Sequence, residues 1–284
     1  MPHITTRDGV RLYYEEAGSG SAVVFVHEYA GDYRSWEAQM RYFSRAHRCV
    51  SYSQRGYPPS EVPEQAARYG QDIARDDVIA LMDALKIDKA HVVGHSMGAY
   101  TALHVGINYP KRCISVVAAG CGWGSTPDPK KREEMKALAA ETGKMFAEEG
   151  IKSASAKYAD APMRQAQKHK DPRGYAEFAR QLAEHSALGH AQTMFNLQLK
   201  RPTLWEMEAG LKKFAVPLLV IVGDEDEPCI DGSVFLKRTV PTAGLLVIPR
   251  SGHNVQSEEP AAFNAALADL FAAAEAGRWL AHKP

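Results

Sequence analysis

Short apolar runs that alternate with amphipathic stretches restrict this 284-residue chain more than any other feature. Residues 22–26, Ala-Val-Val-Phe-Val, carry no polar alternation, which is how a strand buried on both faces reads. A helix is expected over 33–45 and a second strand over 48–53. Residues 71–87 place Val78, Leu81, Met82 and Leu85 at i, i+3, i+4 and i+7, one apolar helical face. A strand at 91–94, a helix at 96–109 and a strand at 113–119 follow. Strands that alternate with helices imply βαβ units and a parallel sheet. Residues 11–16 add a strand before the alternation begins.

The alternation stops near Gly120-Cys121-Gly122-Trp123-Gly124. The next 87 residues, 127–213, contain no convincing strand and are too many for an ordinary loop. They read as helices over 130–149, 151–159, 172–186 and 189–199. Strands at 216–222 and 245–248 then restore the pattern. A helix over 260–274 presents Phe263, Leu267, Leu270 and Phe271 on one face. The expected organisation is therefore a core of residues 1–124 and 214–284, with a helical cap inserted at 125–213.

Lys+Arg and Asp+Glu both number 34, so the formal charge is zero, which argues against nucleic-acid binding by bulk charge. No stretch approaches 18 apolar residues, so no membrane span is expected. Residues 1–9 show no apolar leader segment. Cys49, Cys113, Cys121 and Cys229 are scattered, which suits neither a disulfide framework nor a zinc site. A cytoplasmic protein with reduced thiols is expected. No H-E-x-x-H spacing occurs among the 11 histidines, and no metal is expected.

Gly94-His95-Ser96-Met97-Gly98 fits G-x-S-x-G, between a Val-rich strand and a helix. That context is the strand–turn–helix in which a serine hydroxyl stands exposed above a sheet edge. Small residues two before and two after Ser96 suit so sharp a turn. The alternative is an ordinary serine helix cap. A serine needs a base, and a histidine base needs a carboxylate. His253 follows the strand ending at 248, in a loop where open α/β sheets place their chemistry. Gly223-Asp224-Glu225-Asp226-Glu227 follows the preceding strand, with Asp226 the first choice of acid and Asp224 the reserve. Most of that acidic run is solvated loop, since only one carboxylate is needed. His95 is read as packing or orienting the turn, and His169, His185 and His190 as surface or core residues.

These motifs resemble the α/β-hydrolase superfamily, in its lid-bearing serine esterase and lipase-like branch. The resemblance runs from about residue 8 to 270. It rests on Val26-His27, Trp36, Arg55-Gly56-Tyr57, the Ser96 motif, residues 223–226 and Ser251-Gly252-His253 before Glu259-Pro260. It implies a mostly parallel eight-stranded sheet with helices on both faces and a cap after the sixth strand. It also implies nucleophile Ser96, acid Asp226 and base His253, with the Tyr29 and Met97 amides as the oxyanion hole. Neither cofactor nor metal is implied. The expected substrate is a small to medium, fairly apolar carboxylic ester; C–C bond cleavage and perhydrolysis keep the same triad, and a non-catalytic ligand-binding role, which on this fold often comes with loss of a triad member, is a further alternative. A homodimer is compatible with the sequence and not required by it.

Two positions depart from the family pattern. Ser53 stands where relatives usually carry Asp, a position expected to be structural. Glu28 stands where they usually carry Gly, beside the oxyanion loop. Either Glu28 turns away and pins the loop, for example against Arg34, or it touches the pocket. Pocket walls are expected from Trp123 and, within the cap, from a minority of Met145, Phe146, Tyr158, Met163, Phe178, Met194, Phe195 and Trp205, the rest being cap core. The cap segment carries a surplus of four positive charges, with 16 Lys+Arg against 12 Asp+Glu, which leaves a mild preference for anionic substrates open.

Overall fold

The computed structural model describes residues 2–281. Eight strands form one sheet: β1 (His3–Thr5), β2 (Arg11–Ala17), β3 (Ala22–Val26), β4 (Arg48–Tyr52), β5 (Ala90–His95), β6 (Cys113–Ala119), β7 (Leu218–Gly223) and β8 (Ala243–Ile248). Their spatial order is β1-β2-β4-β3-β5-β6-β7-β8. The β1–β2 and β2–β4 pairs are antiparallel, and every other pair is parallel.

The period-2 geometry of the strands divides their apolar side chains between two cores. Val24, Val26, Val50, Val92, Val116 and Val220 face one side, where α2 (Gln71–Ala84), α3 (Met97–Asn108) and α9 (Glu227–Thr239) contribute Val78, Leu103 and Leu236. Val23, Phe25, Val93, Val117, Leu219 and Ile221 face the other. There α1 (Glu37–Phe43) and α11 (Pro260–Glu275) supply Met40, Phe43, Phe263, Leu267 and Phe271. Continuous Val/Ile runs are thus covered by helices on both faces, each buried side chain contributing about 1.5–3 kcal/mol.

Between β6 and β7 the chain is helical: α4 (Pro129–Ala159, broken at Gly150), α5 (Gln165–Lys170), α6 (Pro172–Leu182), α7 (Ala187–Thr193), a π-helical turn at Met194–Gln198 and α8 (Glu208–Leu211). Its Phe146, Ala154, Ala191, Met194 and Leu197 pack in one cluster with Tyr29, Tyr57 and Met97. A short helix, α10 (Val255–Glu258), precedes α11. Among the described residues no helix is long and apolar enough to cross a membrane.

Several elements differ from the sequence expectation. The helix expected at 33–45 begins as a 3-10 turn, Tyr33–Trp36, because the Asp32 side chain accepts the Arg34 amide while Ser35 reaches back to the Asp32 amide. Strand β7 starts only after Pro217, which lacks an N–H to donate. Helix α9 was not expected, since Glu-Pro-Cys-Ile-Asp-Gly-Ser has poor helix propensity. It forms by burying Cys229 and Leu236 against the sheet. Strand β1 is too short to leave a periodic signal.

Candidate active site

Strands β3, β5, β6, β7 and β8 run parallel, so the loops that follow them share one edge of the sheet. Those loops carry Glu28 and Tyr29, Ser96, Trp123, Asp226 and His253 respectively. Ser96 joins β5 to α3 with φ 53° and ψ −111°, a strained conformation for a residue with a side chain. Its amide donates to Ala119 O at 2.8 Å. The glycines flanking it are dictated by close backbone approach. A Cβ on Gly94 would run into the Gly98 carbonyl, and a Cβ on Gly98 into the Val26 carbonyl. The turn therefore presses the start of α3 onto the end of β3, and the Ser96 side chain is left at the edge.

Ser96, His253 and Asp226 form one hydrogen-bonded chain. Ser96 Oγ lies 2.9 Å from His253 Nε2, and His253 Nδ1 lies 2.8 Å from Asp226 Oδ2. A carboxylate at Nδ1 assigns the proton to that nitrogen, which leaves Nε2 free to accept from the serine hydroxyl. Asp226 and His253 are both 3% exposed. Burial works to raise the Asp226 carboxyl, but the charge and hydrogen bond of His253 outweigh it and hold the acid below its ordinary range. The reserve acid, Asp224, is exposed and accepts the Ser251 amide instead.

The loop bearing His253 is tied on both sides. Glu258 accepts the Gly252 and Asn254 amides at 2.6 and 3.0 Å, and the His253 carbonyl meets His95 Nε2 at 2.7 Å. The oxyanion loop is tied as well. His27 Nδ1 meets Glu28 O at 2.7 Å, and its Nε2 accepts the Gln54 amide at 2.9 Å. Burial pushes His27 down to about 4, so this histidine is neutral. Among the described residues the Tyr29 amide has no hydrogen-bond partner, and the Met97 amide, first in α3, has no acceptor one turn back.

A cavity of about 760 Å³ opens onto Ser96 and His253. Trp123 lines it, as do Met145, Tyr158, Met163 and Met194 from the helical segment. The other four of the eight cap side chains, all aromatic, do not reach it. Phe146 is enclosed and stacks on His190, with ring centroids 4.3 Å apart. Trp205 stacks on Phe235 beside the sheet core. Phe178 lies beneath the Arg164 guanidinium, and Phe195 packs against Gly143.

Glu28 corrects the pairing expected with Arg34. Arg34 binds Asp32 of its own turn at 2.6 Å and Glu184 of the helical segment at 2.7 Å. Glu28 is instead 4% exposed and lines the cavity. Burial works to raise its carboxyl, and His95 and Arg164 together hold it well below the usual carboxylate range. Ser53, the other departure, is enclosed; its Oγ accepts the Tyr33 amide at 3.4 Å and its carbonyl accepts from Ser60.

Two arginines of the cavity wall escaped the sequence reading. Arg164 is 1% exposed, and Arg201 lies 3.7 Å above the Tyr100 ring while its Nη2 donates to Trp123 O. Arg164 closes a short 3-10 turn and Arg201 lies in a bend after the π-helical turn, and an enclosed arginine at either place gives no pattern that distinguishes it from a solvated one. Asp226, Cys229 and His253 bring ligand atoms within 4.8 Å of one another. As a metal site this set fits poorly: His253 Nδ1 is engaged by Asp226, and burial raises the Cys229 thiol far above the range in which it would ionise.

A family model for the alpha/beta hydrolase fold matches residues 21–260. The chain is 28% identical to 2-hydroxy-6-oxo-6-phenylhexa-2,4-dienoate hydrolase of Burkholderia cepacia, over 92% of this chain and 91% of that one. It is 26% identical to 3-oxoadipate enol-lactonase 2 of Acinetobacter baylyi, over 92% and 93%. A thermophilic esterase from Thermogutta terrifontis superposes with a TM-score of 0.83 at 22% identity, over 96% of this chain and 98% of that one. With a matched family model across most of its length and an eight-stranded, mostly parallel sheet flanked by helices, this chain belongs to the α/β hydrolase fold family.

Proposed function

We propose that this protein is a serine hydrolase that cleaves a small to medium carboxylic ester. The observation that carries the reading is the continuous chain from Ser96 Oγ through His253 to Asp226, at 2.9 and 2.8 Å, opening onto a cavity. His253 Nε2 takes the hydroxyl proton as Ser96 Oγ attacks the ester carbonyl carbon. Asp226 stabilises the imidazolium that forms. The amides of Tyr29 and Met97 receive the oxyanion, each such donor being worth about 3–4 kcal/mol of barrier. The imidazolium then protonates the leaving alcohol. Water attacks the acyl-enzyme with the same histidine as base, releasing the acid and restoring Ser96. The helical segment 125–213 acts as the cap, and its methionines, unbranched and adaptable, fit an aliphatic acyl group.

C–C bond hydrolysis of an acidic dienoic diketone is the second reading. The likeness to the dienoate hydrolase across most of both chains favours it, and so does the Arg201 guanidinium in the cavity wall. Initial rates on p-nitrophenyl acetate, butyrate and octanoate, beside Ser96→Ala, separate the two. Ser96-dependent turnover supports the esterase. A folded enzyme that ignores all three esters but consumes a dienoic diketone acid supports C–C cleavage.

A further inference from the structure

Glu28 occupies a position where glycine was expected, and its carboxylate folds over Gly31 of its own loop. That loop is already fixed by the bond from His27 to Glu28 O, by Gln54 Nε2 on His27 O at 2.9 Å and by the Gly31 amide on Glu28 O at 3.2 Å. The carboxylate also reaches two partners from other parts of the chain. Oε2 lies 3.4 Å from His95 Nδ1, and Oε1 lies 3.7 Å from Arg164 Nη1. Both partners continue to the loop that bears His253. His95 Nε2 meets the His253 carbonyl at 2.7 Å, and Arg164 Nη1 donates to Asn254 Oδ1 at 2.5 Å.

Every member of this network is enclosed: His95 at 0% exposure, Arg164 and Asn254 at 1%, His253 at 3%. Glu28 is the sole carboxylate within ion-pair distance of Arg164 among the described residues. Without it, Arg164 becomes an uncompensated cation at the cavity wall, with Asn254 and the Phe178 and Tyr158 rings beside it. A buried charge that loses its partner moves or draws in water. Either response pulls on Asn254, the residue after His253.

We propose that Glu28 is a positioning residue that, through Arg164 and His95, clamps the His253 loop so that Nε2 stays aimed at Ser96 Oγ. The proposal rests on the serine-hydrolase reading above. It joins three separate pieces of the site, the oxyanion loop, the Ser96 turn and the helical segment, to one side chain.

The test measures the rate of Ser96 modification by a fluorophosphonate, together with kcat and KM for p-nitrophenyl butyrate. The proteins are wild type, Glu28→Gln, Arg164→Gln and the double variant. Glu28→Gln keeps volume and removes charge. A misaimed base lowers both the fluorophosphonate rate and kcat by about tenfold or more, with KM held within about twofold. The double variant, which leaves no unpaired charge, recovers part of that loss. Unchanged rates in Glu28→Gln overturn the proposal, as does a loss confined to KM, which would make Glu28 a substrate contact. A double variant no better than the worse single variant overturns the charge-pair clamp. Circular dichroism verifies folding; if Glu28→Gln does not fold, Arg164→Gln carries the same expectation. Folded wild type that does not react at Ser96 overturns the serine-hydrolase reading itself, an outcome separate from any difference among variants.

Discussion

The choice between Asp224 and Asp226 shows how far single residues could be read. Both lie in one acidic run after β7, and nothing in their spacing separates them. The fold separates them by burial: Asp226 turns inward to His253, and Asp224 caps the Ser251 amide at the surface. Asp226→Asn should therefore lower kcat by about 10⁴-fold, because the amide favours the wrong imidazole tautomer. Asp224→Asn should stay within a few-fold, and equal losses in steady-state kinetics would contradict this assignment. The Ser96 turn was legible because its glycines answer a local steric demand. Gly98→Ala places a Cβ against the Val26 carbonyl. It should cost about 2–4 kcal/mol in urea unfolding and lose most activity. Arg164 and the surroundings of Glu28 were not legible. A buried ion pair joining positions 28 and 164 is a tertiary fact with no local signature.

Elements with strong periodicity were read close to their final bounds. The run at 22–26 is β3, 113–119 is β6, and the helical face of Phe263, Leu267, Leu270 and Phe271 is buried as expected. These stretches are apolar enough that burial decides their conformation. Helix α9 and strand β1 were missed because neighbours stabilise them and their own residues give weak signals. Within the helical segment, hydrophobic aromatics could not be sorted into wall and core. Phe146 packs in the cluster around Tyr29 and Trp205 packs against the sheet core, whereas Met163 lines the cavity and Met194 belongs to both the cluster and the cavity wall. Filling that wall should shorten the acyl preference. Met163→Trp should reduce kcat/KM for p-nitrophenyl octanoate by about tenfold relative to acetate, a discrimination of the size that pocket volume supplies. A parallel change for both esters would show that this wall does not contact the acyl chain.

Across the whole molecule, buried histidines link stability to pH. His27, His91 and His104 are each pushed by burial from 6.5 to about 4. The unfolded chain thus binds these protons more readily than the folded one. Their contribution to stability is complete above about pH 6.5 and is lost as pH falls toward 4, each group contributing on the order of 3 kcal/mol across that window. The urea midpoint should fall steadily between pH 7 and 5, before the ordinary carboxylates titrate. A flat midpoint over that range would mean that these rings are hydrated or charged in the fold. The central claim concerns one oxygen atom, Ser96 Oγ, and a covalent intermediate reports on it directly. Acid-quenched wild type mixed with excess p-nitrophenyl acetate should carry one acetyl group, mapped by peptide mass spectrometry to Ser96 and absent from Ser96→Ala. Ester turnover that persists in Ser96→Ala, or an acetyl group found on another residue, would contradict it.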